Sequence, residues 1–92
     1  MRVRVIFHGI LSDWLGTQEA SLELPQGASL RDLTQMLRDR FSHVMPQQLW
    51  DPSNNTFAKQ VLAVSNAEPL RDLDTTLEEG QEIGFFLLLA GG

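Results

Sequence analysis

Ser29-Leu30-Arg31-Asp32-Leu33-Thr34-Gln35-Met36-Leu37-Arg38-Asp39-Arg40-Phe41-Ser42 is the stretch on which the architecture turns. Leu30, Leu33, Leu37, Phe41 and Val44 recur at helical spacing, while Arg31, Asp32, Arg38, Asp39 and Arg40 fall on the opposite side. Ser29 is a favoured N-cap, and Asp32 places a carboxylate near the positive end of the helix. The pattern predicts a helix over 29–42 with a single apolar stripe. Such a helix buries one side only, so it must lie on one face of a sheet.

The flanks supply that sheet. On the N-terminal side, Arg2 to His8 alternates, with Val3, Val5 and Phe7 on one face and Arg2, Arg4, Ile6 and His8 on the other. Gly9 closes this strand. Leu11, Trp14 and Leu15 are spaced for a helical turn or packed loop ending at Gly16, and Ala20, Leu22 and Leu24 mark a second strand that stops at Pro25. On the C-terminal side, Pro46 to Ala58 is a polar insertion that Leu49, Trp50 and Phe57 pin to the body. Gln60 to Val64 reads as a third strand, and Asn66-Ala67-Glu68-Pro69 as a turn. Leu70, Leu73 and Leu77 pack an irregular segment, and Glu82 to Leu88 forms the last strand. The order β-β-α-β-β implies an α+β domain with a mixed sheet of about four strands. The first and last strands lie parallel at its centre, and the main helix packs on one face.

A chain of 92 residues is one domain, 1–92, large enough to fold unaided. Its net charge of −5 disfavours nucleic acid, whose phosphates require clustered Lys and Arg. There is no apolar run of membrane-spanning length and no leader-like opening, so the expected setting is soluble and cytoplasmic, with no membrane partner. With no cysteine, the chain offers no disulfide, thiolate metal site, side-chain persulfide or cysteine nucleophile.

The chain closes on Leu87-Leu88-Leu89-Ala90-Gly91-Gly92. At an average glycine usage of about 7%, two in the last two positions arise by chance in roughly one chain in 200. Without Cβ, such a pair makes a thin tail that can thread a narrow slot, and its only reactive group is the terminal carboxylate. Residues 89–92 are accordingly expected to form a flexible tail.

Element order, absence of cysteine and the diglycine ending together resemble the β-grasp, ubiquitin-like sulfur carriers of the ThiS and MoaD type. Leu77-Glu78-Glu79-Gly80-Gln81-Glu82-Ile83 and Leu11-Ser12-Asp13-Trp14-Leu15-Gly16 carry the likeness further. Gln81 departs from the acidic residue usual after the turn glycine. Phe85-Phe86-Leu87-Leu88 departs from the Phe-Phe-Pro-Pro common in molybdopterin-synthase small subunits. The insertion around Trp50-Asp51-Pro52-Ser53 looks more like longer carriers, including those serving cysteine biosynthesis.

The resemblance implies a carrier and co-substrate that performs no catalysis itself. An E1-like adenylating enzyme, using ATP and magnesium, would convert Gly92 to an acyl-adenylate. A persulfide donor would replace AMP to leave a thiocarboxylate, and a sulfur-accepting enzyme subunit would take the sulfur. Gly91 would serve tail threading. The carrier itself would bind no cofactor and no metal.

The outward parity of the first and last strands makes Ile6, His8, Phe86 and Leu88, continued by Leu89 and Ala90, a candidate docking surface. The alternative is that the insertion folds over Ile6 and Phe86 and makes them core. His8 reads as a rim contact in preference to a catalytic residue, His43 as a solvated residue at the helix end, and Lys59 as an exposed lysine open to covalent attachment in principle. Asp72, Asp74, Glu78, Glu79 and Glu82 form an acidic stretch, either solvated or read by a basic partner. Two other functional classes use the same fold: a ubiquitin-like modifier conjugated to lysines through Gly92, and a β-grasp interaction module.

Overall fold

A computed structural model describes residues 1–88. The chain runs through β1 (Arg2–Phe7), α1 (Ile10–Leu15), β2 (Glu19–Glu23) and α2 (Leu30–Phe41). A 3₁₀ turn at Gln47–Leu49 leads into β3 (Trp50–Asp51), β4 (Thr56–Phe57), β5 (Val61–Ser65), β6 (Glu68–Leu70) and β7 (Glu82–Leu87). The main sheet has the order β2-β1-β7-β5-β6, and β3 and β4 form a separate two-stranded ribbon. β1 and β7 are parallel neighbours, with Val5 opposite Ile83 and Phe7 opposite Phe85. β1 pairs antiparallel with β2, and β5 antiparallel with both β7 and β6. This is the expected β-grasp architecture.

Alternation decides which side chains enter the core. Val3, Val5 and Phe7 of β1, and Ile83 and Phe85 of β7, are buried beneath Leu30, Leu33, Leu37 and Phe41 of α2. The Phe7 ring meets Phe41 edge-on at 5.5 Å, which ties sheet to helix. α2 starts in a capping box: the Asp32 N–H donates to Ser29 Oγ and the Ser29 N–H donates to Asp32 Oδ2.

Two details differ from the expected pattern, and a third settles an alternative. The sheet has five strands, not about four, because Glu68–Leu70 continues past a tight turn and pairs with β5. Asn66 and Ala67 both take positive φ there, as a two-residue hairpin turn requires. Val44 lies beyond the helix end and is 41% exposed, so the apolar stripe of α2 stops at Phe41. Of the helical turn and packed loop open after β1, the helix forms, six residues long and closed as expected by Gly16, in the left-handed region at φ 75°.

Candidate docking face

The insertion packs on the helix side of the sheet and leaves the opposite face bare. Leu49 and Phe57 are buried, Trp50 is half-buried against the core, and the Phe57 ring lies 5.3 Å from that of Phe85. Ile6 and Phe86 are therefore not covered by it. Ile6 is half-buried on the outer face, His8 is exposed, and Phe86 and Leu88 are 37% and 51% exposed.

Strand register assembles the face. Ile6 lies opposite Gly84, and Phe86 opposite Leu62, with Val64 beside Gly84 on β5. The imidazole of His8 stacks parallel on the Phe86 ring, with centroids 4.1 Å apart. Gly84 makes that stack possible: a Cβ there would stand 3.0 Å from His8 Nε2 and 3.5 Å from Phe86 Cε2. Ile6, His8, Phe86 and Leu88 are the residues expected on this face from strand parity, and Gly84 is an addition to them. A glycine inside a central strand was the available signal, because it weakens the strand unless something must approach closely.

A shallow depression of about 290 Å³ opens beside the stack, lined by His8, Val64, Asn66, Ala67, Gly84, Phe86 and the Glu82 carboxylate. Below it the face is charged and paired. Arg4 Nε lies 2.6 Å from Glu19 and its Nη1 3.1 Å from Glu82, while Arg2 Nε lies 2.8 Å from Glu23. The hydrogen bond and charge of Glu19, then the charge of Glu82, hold the Arg4 guanidinium above its ordinary pKa. These exposed pairs contribute little stability. Their consequence is an apolar patch with a charge-matched border.

The remaining candidates disperse. His43 is exposed past the end of α2, and Lys59 is exposed next to β5. Within the acidic stretch, Asp72 accepts from the Asp74 N–H, Glu79 accepts from the Arg2 N–H, and Glu82 pairs with Arg4. Among the described residues there is no group of three or more His, Asp or Glu side chains placed to hold a metal ion, and no helix long and apolar enough to cross a membrane. The Gly91, Gly92, Leu89 and Ala90 assignments lie outside the described residues. Leu88 is the last described, with its N–H donating to Gln60 O at 2.6 Å.

A mixed sheet with one main helix packed on one face is the β-grasp, ubiquitin-like fold. The ThiS family model matches residues 5–92, and the chain belongs to that family. No curated protein sequence matches it. Among solved structures it is similar to the small archaeal modifier protein SAMP1 of Haloferax volcanii, at 14% identity and TM-score 0.85 over all of both chains. It is also similar to a putative molybdopterin converting factor subunit 1 from Pyrococcus furiosus, at 23% identity and TM-score 0.74 over 97% of this chain and 99% of that one. A third similar structure is a chain of the Amycolatopsis orientalis BexX/CysO complex, at 18% identity and TM-score 0.62, covering 98% of this chain and 99% of that one. At these identities the likeness is one of fold. The family is one of small sulfur-carrier or ubiquitin-like modifier proteins, generally without catalysis of their own.

Proposed function

We propose that the protein is a sulfur carrier whose reacting group is the carboxylate of Gly92. The observation that carries this reading is the family match, which runs through the body and includes Gly91-Gly92. A chain without cysteine has no side-chain thiol to hold sulfur, which leaves the terminal carboxylate as its acceptor.

In this mechanism a carboxylate oxygen of Gly92 attacks the α-phosphorus of ATP on an E1-like enzyme, and pyrophosphate leaves. The mixed anhydride turns a poor acyl electrophile into a good one. Hydrosulfide attacks the acyl carbon and expels AMP to leave the thiocarboxylate directly. A persulfide donor instead gives an acyl disulfide, from which a second thiol of the donor releases the thiocarboxylate as the two thiols close to a disulfide. An acceptor enzyme subunit then consumes the thiocarboxylate. ATP and magnesium are the activating enzyme's substrates. This chain contributes the acyl group, a Gly91-Gly92 end free of Cβ atoms, and the Ile6–His8–Phe86–Leu88 face that holds it on its partners. The cytoplasm, where ATP and sulfur donors coexist, is the proposed setting.

The test is direct. With its activating enzyme, ATP, magnesium and sulfide, the protein should gain the mass of one sulfur-for-oxygen exchange, localised to Gly92 by fragmentation. Deleting Gly92 should abolish both adenylation and the mass gain while leaving the circular dichroism spectrum unchanged; sulfur transfer by that variant would sink the mechanism. A modifier reading has its own support in the high structural similarity to SAMP1, a modifier protein. Lysine conjugates through Gly92, with no thiocarboxylate formed, would favour it.

A further inference from the structure

One main helix and the six-residue α1 cannot cover five strands. The main sheet is about 19 Å wide across its strands, whereas an α-helix with its side chains is only about 10–12 Å across. α2 packs over the β1–β7 core, and the β3–β4 ribbon covers part of what remains. Between them, over the inner face of β5 and β6, a groove of about 380 Å³ stays open. Half-buried Val61, Leu70 and Leu73 line it, with Phe85 at its back. This groove lies on the helix side of the sheet, so it is separate from the face formed by His8 and Phe86.

Its charge is opposite to that of the protein. The chain carries 12 acidic and 7 basic residues, yet the groove is lined by two cations, Lys59 and Arg71, and by no carboxylate. Neither cation belongs to an ion pair among the described residues. Lys59 lies near enough to Asp51 to help lower that carboxyl's pKa, behind the larger effect of the Asn54 side-chain donor. Both cations stay exposed beside an apolar floor.

We infer that this groove is a second docking site, occupied by a partner peptide segment that sets an aliphatic or aromatic side chain between flanking carboxylates. The apolar side chain displaces water from Val61, Leu70 and Leu73, while the carboxylates meet Lys59 and Arg71. The segment docks through side chains, not as an added strand. β6 forms the sheet edge, and its central residue Pro69 has no N–H to donate to an incoming strand. The inference is independent of the sulfur-carrier reading, because it requires nothing of Gly92 or of the outer face.

Titration of the isotope-labelled full chain with the peptide Asp-Glu-Leu-Phe-Asp-Glu, followed by amide NMR shifts, tests it. Shifts are expected at residues 58–63 and 70–73, weakening as salt rises, with no comparable response to Lys-Lys-Leu-Phe-Lys-Lys. The exposed double variant Lys59→Glu/Arg71→Glu should lose at least tenfold in affinity, whereas Phe86→Asp should bind the acidic peptide as the parent does. Absence of shifts in this region, equal response to the basic peptide, or an unchanged affinity in the charge-reversed variant would overturn the assignment. So would dodecanoate occupying the groove while the acidic peptide does not.

Discussion

Phe85 and Phe86 are neighbours on one strand and meet opposite fates. Phe85 points beneath α2, is 2% exposed, and packs against the Phe7 and Phe57 rings at 6.3 and 5.3 Å. Phe86 points away, is 37% exposed, and has His8 stacked on it. The chemistry of the two side chains is the same, so the difference is one of parity alone. The inner face is built from apolar contacts already satisfied within the fold. The outer face leaves part of an aromatic ring and the neighbouring Leu88 open to water, surface that a partner can cover.

The largest effect that would break this comparison is on stability. Phe85→Ala should lower the unfolding free energy by about 3–5 kcal/mol, the usual cost of emptying a buried aromatic site. Phe86→Ala should lower it by less, about 1–2 kcal/mol, because Phe86 is already 37% exposed in the folded chain. Urea denaturation of both variants measures the gap. Equal losses would mean that the outer face is core after all.

The next effect is on association. Phe86→Asp should weaken binding to an activating enzyme by about 2 kcal/mol or more, as for a central aromatic anchor, with a smaller fall in melting temperature than Phe85→Ala causes. Gly84→Ala sharpens the point, because its Cβ would press on His8 Nε2 from 3.0 Å and turn the imidazole off Phe86. That displacement should reduce binding by about 1 kcal/mol, the scale of an off-rotamer contact. Isothermal titration with the same enzyme measures both variants. Unaltered binding in Gly84→Ala would remove the His8–Phe86 stack from the docking surface.

Both faces were legible in the sequence because strand parity is a period of two, and each of β1 and β7 carries one face wholly apolar. The main helix was legible for the parallel reason at 3.6 residues, reinforced by Ser29 and Asp32. What escaped lacks a period. β6 is three residues long and contains Pro69, so it reads as turn, and only its pairing with Ala63, Val64 and Ser65 makes it a strand. Val44 continues the helical spacing on paper, yet the helix ends at Phe41 and leaves it exposed. The groove between α2 and the ribbon depends on a mismatch of widths that no local pattern encodes. Gly84 is the intermediate case: its oddity was visible, but its cause, the imidazole above it, comes from another strand.

The smallest expected effect lies at the rim of the outer depression, in Ala67. This residue has φ 64°, in the left-handed region, at the second position of the β5–β6 turn. A non-glycine residue there pays roughly 1–2 kcal/mol in contact between Cβ and the backbone. Ala67→Gly removes that contact but loosens the unfolded chain, which offsets about 0.4–1 kcal/mol of the gain. The net expectation is a stabilisation of about 0.5–1 kcal/mol, seen as a small rise in urea midpoint with the slope unchanged. No buried contact is lost, since Ala67 is exposed. The same variant separates the two faces once more. If the methyl is part of the docking surface beside His8 and Phe86, binding to the activating enzyme should weaken even as stability rises, whereas a residue serving the turn alone would leave binding untouched. A fall in stability would show that the left-handed turn costs this chain nothing and that the alanine side chain is held by its surroundings.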